Sequence, residues 1–254
     1  MKQLGQSFLV NRDIAIAEAE HAHGKVVLEI GPGRGILTEE LVKNAEKVIA
    51  VEKDYLLFKS LASTMPEKNL KLIHGDFFEV APEDLELERV EILIANIPYY
   101  ISSRVIAWAW EHRMQAVLCL QKEFVKHMLA KEGTRGYSRL SVMCSLMLSI
   151  TEIMPVDRGN FRPIPMVDSE VIYIKPREAR ISERESELIN LLMQHKKKRV
   201  RNAILDSHRQ LGVEKKRLLE ISEEIGKKEE RIFKLGPQTI LGLARELDAM
   251  LSGR

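Results

Sequence analysis

Along the first two thirds of the chain, short continuous apolar runs alternate with stretches whose apolar residues recur at helical spacing. Residues 25–31 (KVVLEIG), 47–54 (KVIAVEKD), 70–78 (LKLIHGDFF), 91–99 (EILIANIPY) and 115–121 (QAVLCLQ) are rich in β-branched and aliphatic side chains and read as five strands. Asn11 is placed to cap a short helix ending near residue 21, and helical patterns fill residues 36–44 and 55–64 between the runs. Strand alternating with helix at this spacing predicts an α/β fold, with βαβ units on a parallel sheet covered on both faces. In such a sheet the functional crevice lies beyond the carboxyl ends of the strands.

The pattern changes after residue 132. Residues 132–148 read as a loop feeding a helix, and the prolines and alternating Val/Ile of residues 152–176 predict an antiparallel hairpin closing near Pro176. From Ser182 onward the periodicity is helical, with breaks near Gly212, Gly226 and Gly236-Pro237. The expected organisation is a first domain over residues 1–178 and a small all-α domain over 179–254. No internal repeat or low-complexity tract interrupts it.

Composition narrows the class. With 254 residues, 45% of them apolar and 30% charged, the chain buries a sizeable core. Cys119 and Cys144 are far apart and form no C-x-x-C pair, so neither a disulfide framework nor a zinc site is expected. No apolar run approaches a membrane span, and residues 1–24 are too polar for a signal peptide, which predicts a cytoplasmic protein. The net charge of +2 conceals an asymmetry: from Arg177 on there are 18 Lys and Arg against 13 Asp and Glu. The basic run KKKRVR (196–201) reads either as a solvated helix face or as a phosphate-binding patch.

The first candidate chemistry sits where the first strand turns into a helix. In EIGPGRGILT (29–38), glycines allow a ligand close to the backbone, and Glu52, 21 residues after Gly31 at the end of the next strand, is placed for ribose hydroxyls. A dinucleotide is the first reading, but Pro32 interrupts the usual glycine spacing and the acidic Glu29 precedes it. S-adenosylmethionine carries no phosphate and tolerates acids nearby; Glu29 suits its ammonium. Asp76 suits its adenine amine, with Phe77 along the ring. The competing reading of Asp76 is a turn or cap carboxylate.

The second candidate ends the fourth strand, as Asn96-Ile97-Pro98-Tyr99. An exocyclic amine on a base is a poor nucleophile because its lone pair is conjugated with the ring. Two carbonyl acceptors, the Asn96 side chain and the Ile97 backbone, would hold its hydrogens in the geometry of attack. Pro98 stiffens the backbone without donating. Tyr99 offers a ring face on which an unstacked base rests, a role that needs the ring and not the hydroxyl. The target must be flipped or unpaired.

These motifs, together with LGQSFL (4–9), VEKD (51–54), GDFF (75–78), NIPYYISS (96–103), QKEF (121–124) and FRPIPMVDS (161–169), make the chain resemble, almost end to end, the small-subunit rRNA adenine dimethyltransferases, nearer archaeal than bacterial members. The resemblance implies a Rossmann-like class I methyltransferase core, a helical C-terminal domain that binds rRNA or the subunit, S-adenosylmethionine as donor and no metal. Carried over by position, it places Gln6, Leu9, Glu29, Gly31, Gly33, Glu52, Lys53, Asp76, Phe77 and Asn96 around the cofactor. It places Asn96, Pro98, Tyr99 and Phe161 at the target adenine. The implied partner is small-subunit rRNA in an immature particle, met by a monomer. Ser7 stands where members often carry His or Asn, and Glu170 where a small residue is common; neither departure is expected to touch the amine pocket. Two rivals remain: a large-subunit rRNA dimethyltransferase of the erythromycin-resistance type, and a ribosome-assembly binding factor on the same fold.

Overall fold

The computed structural model describes residues 7–178 and 180–253. The chain divides into two compact units, residues 1–125 with 149–176 and residues 126–148 with 177–254.

The first unit is built on one seven-stranded sheet. In chain order its elements are β1 (Phe8–Leu9), α1 (Arg12–Ala19), β2 (Val26–Ile30), α2 (Ile36–Asn44), β3 (Lys47–Glu52), α3 (Tyr55–Thr64), β4 (Leu70–His74), β5 (Ile92–Ala95), α4 (Ser102–Glu111) and β6 (Gln115–Gln121). The chain then runs through α5 (Lys122–Met128) and α6 (Arg139–Met147), the latter in the second unit, before β7 (Leu148–Val156), β8 (Phe161–Arg162) and β9 (Ser169–Pro176). The strand order is β4-β3-β2-β5-β6-β9-β7, and β2 pairs in parallel with both β3 and β5. The chain order therefore reverses between β2 and β5, and in open sheets of this kind the ligand crevice lies beyond the carboxyl ends of the strands at such a switch point. β6 pairs antiparallel with β9, so the late hairpin folds onto the parallel core as its antiparallel edge. β1 pairs antiparallel with β8, matching Leu9 to Phe161; each is two residues long, too short to carry a periodic signal.

Central strands β2 and β5 are buried on both faces, which is why they read as unbroken apolar runs. Asn11 caps α1 through the Asp13 amide. Helix α1 then lays Ile14, Ala15 and Ala19 into a core shared with Val27, Leu41, Ile92 and Val117. Glu18 lies on that same buried face.

The second unit adds α7 (Glu183–Gln194), α8 (Val200–Asp206), α9 (His208–Leu211), α10 (Lys215–Glu224) and α11 (Pro237–Ser252). Gly212 closes α9 in a left-handed conformation and Pro237 opens α11, as the breaks in periodicity predicted. The C-terminal part of the second unit begins at residue 177, and residues 126–148 group with its helices. Tyr137, Val142 and Leu146 are buried in one core with Leu192, Ile204 and Leu247, and the Tyr137 hydroxyl donates to the Leu235 carbonyl at 2.8 Å. A segment distant in sequence joins that core because α6 alone has nothing to cover its apolar face. No helix among the described residues is long and apolar enough to cross a membrane.

Candidate active site

The loop after β2 shows why its three glycines are not equivalent. Gly31, Gly33 and Gly35 all have left-handed backbone, with φ of +66°, +59° and +86°, a conformation that costs other residues energy. A Cβ on Gly31 would meet nothing within 4 Å, whereas one on Gly35 would run into Leu61 at 2.6 Å and into Met65. Gly31 thus keeps a space open, and Gly35 lets α2 and α3 approach. Gly31 and Gly33 line a cavity together with Leu9, Glu29, Arg34 and Asn96. Gly33 also faces Phe8, whose ring carries the Arg34 guanidinium 5.0 Å from its centroid.

The acids around this loop do different work. Glu52, 2% exposed, accepts from the Gly33 amide at 3.0 Å and the Asp54 amide at 2.7 Å. It ties the glycine loop to the end of β3 and retains acceptor capacity for a ligand, since a carboxylate has about four lone-pair sites. Glu29 is 1% exposed and its Oε2 has no partner; burial pushes its carboxyl up to about 8. Asp76 caps the short turn Phe77–Glu79 through the Phe78 amide and pairs with Lys53 at 2.7 Å. The Lys53 ammonium holds the Asp76 carboxyl below the usual range. The cap reading of Asp76 is therefore correct for one of its oxygens, and Lys53 faces that acid. Phe77 is buried, packed edge-on against Phe78 and Trp108.

A second cavity shares Ser7 and Asn96 with the first. Its walls are Ser7, Asn96, Ile97, Pro98, Tyr99, Cys119 and Phe161. Pro98 leads into a short turn over Tyr99–Ile101, which projects Tyr99 beside the end of β5. Phe161 reaches the cavity because β8 is held against Leu9 of β1. Asn96 Nδ2 donates to Glu18 Oε2 at 2.9 Å, while the buried Asn96 Oδ1 has no partner. Two expectations change here. Ser7 does touch the amine pocket, because the β1–β8 pairing folds the N-terminal segment over it. The Tyr99 hydroxyl is used, lying 2.8 Å from Ser169 Oγ, which fixes the ring. Gln6 lies outside the described residues.

Glu18, Ser169 and Cys119 escaped the reading of the sequence as site residues. Glu18 had a signal: residues 14, 15, 18, 19 and 22 form one buried helical face, and an acid on such a face demands a partner. Ser169 and Cys119 had none, since their place depends on the antiparallel register of β9 against β6.

In the second unit, KKKRVR does not form a helix face. It spans the turn between α7 and the start of α8, and most of its cations are engaged: Lys196 with the Tyr137 carbonyl, Lys198 with Asp206, Arg199 with Glu229, and Arg201 with Glu229 at 2.7 Å. Lys197 is exposed and makes no ion pair among the described residues. Exposed ion pairs of this kind are worth about 0–1 kcal/mol.

Two cavities meeting at Asn96, one floored by a glycine loop with buried acids and one walled by two aromatic rings, suit a small cationic donor on one side and a flat acceptor on the other. On a sheet of this topology, that arrangement is a class I methyltransferase. A family model described as ribosomal RNA adenine dimethylase matches residues 1–246, and the chain belongs to that family. A Pyrococcus furiosus protein named "Probable ribosomal RNA small subunit methyltransferase A" is 38% identical over 94% of this chain and 88% of its own. One of the same name from Methanococcus vannielii is 36% identical over 94% and 93%. Among solved structures, a Plasmodium falciparum dimethyladenosine transferase matches with a TM-score of 0.79 at 29% identity, over 96% of this chain and 98% of that one. The 23S rRNA methyltransferase ErmE matches at 0.66 and 26%, over 95% and 99%.

Proposed function

We propose that this protein dimethylates the exocyclic amines of two adjacent adenosines near the 3′ end of small-subunit rRNA, with S-adenosylmethionine as donor. It acts in the cytoplasm, as a monomer, on an immature subunit particle. The observation that carries the reading is the unpartnered, buried Asn96 Oδ1 at the junction of the two cavities. A buried acceptor without a donor is costly, and a base amine supplies the missing donor.

The residues fit the cofactor: the open face at Gly31 admits it, Glu52 has acceptor sites left for ribose hydroxyls, and the orphaned Glu29 Oε2 suits its ammonium. When bound, the cofactor supplies an electrophilic sulfonium methyl. Tyr99 and Phe161 stack and enclose the base. Asn96 Oδ1 and the Ile97 carbonyl hold the amine hydrogens so that the nitrogen lone pair turns out of conjugation and toward the donor side. Positioning and desolvation supply the acceleration, so no catalytic carboxylate is required. The small-subunit reading is supported over the large-subunit one by the names of the curated relatives and by the higher TM-score of the dimethyladenosine transferase.

The test is Asn96→Ala with saturating cofactor and immature subunits. Its single-turnover rate falls at least tenfold, or more than ~1.4 kcal/mol of barrier, while subunit affinity holds. A wild-type rate in this variant removes the amine-alignment mechanism.

A further inference from the structure

We infer that Glu18 is the positioning residue for Asn96, setting which end of the amide faces the target amine; this rests on the proposed methyl transfer and deepens it. An amide side chain has an acceptor end and a donor end. Only the acceptor end serves at this pocket, because the donor end would confront the hydrogens of the base amine. Nothing local at Asn96 makes that choice, since it follows β5 in a loop. The choice comes from α1: Glu18, 0% exposed, accepts from Asn96 Nδ2 at 2.9 Å. A carboxylate has no donor, so an ionised Glu18 excludes the opposite orientation, in which two oxygens would face each other. Oδ1 is left directed at the cavity without a protein partner.

Glu18 is otherwise hard to explain. It stands on the apolar face of α1 between Ile14, Ala15 and Ala19, where an uncharged residue would pack at less cost. Its second oxygen, Oε1, has no partner. The ionisable groups facing it are Glu29 on β2 and Cys119 on β6, with the neutral Asn96 amide beyond β5. Cys119 is held as the thiol by burial. Burial also pushes the Glu18 carboxyl up to about 8, so the protonated form is accessible, and that form donates as well as accepts. Protonation then permits the inverted amide. A cationic donor in the adjoining cavity favours the ionised carboxylates and with them the productive orientation.

The experiment compares wild type with Glu18→Gln and Glu18→Ala, using the full chain, S-adenosylmethionine and immature small subunits. Gln keeps the shape but offers a donor as well as an acceptor, so it no longer dictates the amide. Both variants lose at least tenfold in single-turnover rate at saturating cofactor while subunit affinity stays within about twofold of wild type. The wild-type rate rises with pH through a group that Glu18→Gln lacks. Independently of activity, the Asn96 side-chain amide resonances of the cofactor-free protein, identified by their absence in Asn96→Ala, shift between pH 6 and pH 9 in wild type and not in Glu18→Gln. Wild-type rates in both variants, or an Asn96 amide signal that is pH-independent and unchanged by Glu18→Gln, overturn the inference. A wild-type protein that transfers no methyl group to subunits refutes the proposed function instead, and the amide resonances still report on Glu18.

Discussion

Replacing Gly31 and Gly35 separately by alanine distinguishes a glycine that admits a ligand from one that admits a helix. Both sit at positive φ, so each alanine incurs roughly 1–2 kcal/mol of backbone strain. At Gly31 that is the whole folding cost, because the added methyl meets nothing within 4 Å. It does occupy the cavity that Gly31 lines with Glu29 and Asn96. At Gly35 the methyl would stand 2.6 Å from Leu61 Cδ2 and also overlap Met65, adding an overpacking cost of about 1–3 kcal/mol. Gly35→Ala is therefore destabilised by roughly 2–5 kcal/mol in total. Urea unfolding measures the stabilities, and calorimetric titration with S-adenosylmethionine at a temperature where both variants are folded measures the affinities. Gly31→Ala loses at least tenfold in cofactor affinity and is the more stable variant; Gly35→Ala is the less stable and binds within about threefold of wild type. Wild-type affinity in Gly31→Ala refutes the placement of the cofactor against that loop.

Three other outcomes follow from the geometry. Burial raises the folded-state carboxyls of both Glu18 and Glu29 from the usual carboxylate range to about 8, so across that interval the folded cofactor-free protein binds more protons than the unfolded chain and stability falls as pH rises. The loss reaches up to ~1.4 kcal/mol per pH unit per group; Glu29→Gln flattens the decline in unfolding free energy between pH 5 and 8, and parallel curves for the two proteins contradict the assignment. Tyr99→Phe keeps the ring but removes the bond to Ser169, costing about 1 kcal/mol of stability while retaining more methyl transfer than Tyr99→Ala; equal inactivity of the two in a radiolabelled-methyl assay refutes the stacking role. Lys197→Glu lowers subunit affinity and reduces its salt dependence by about one phosphate contact without altering cofactor affinity; an unchanged salt slope returns this turn to a solvated surface.

Much of this protein is determined locally. The five strand-forming runs, the Asn11 cap, the glycine loop and the breaks at Gly212 and Pro237 are legible because each depends on residues adjacent in sequence: side-chain periodicity, a cap that bonds two residues on, a backbone dihedral only glycine adopts freely. The candidate residues at the strand ends could be named for the same reason, since in a parallel sheet the carboxyl ends of the strands lie along one edge. What each does there was decided by tertiary structure. Asp76 proved to be both cap and ion-pair partner, and KKKRVR a turn whose cations meet acids on other segments, because electrostatic partners depend on distance in space. Residues 126–148 joined the helical unit because the apolar face of α6 finds its complement some forty residues or more away. Ser7 and Phe161 came to one pocket through a two-residue strand pair, too short to have a period. The orientation of the Asn96 amide depends on Glu18, 78 residues earlier: the sequence supplied an acid on an apolar helix face, and only the packing of α1 against the end of β5 gave that acid its partner.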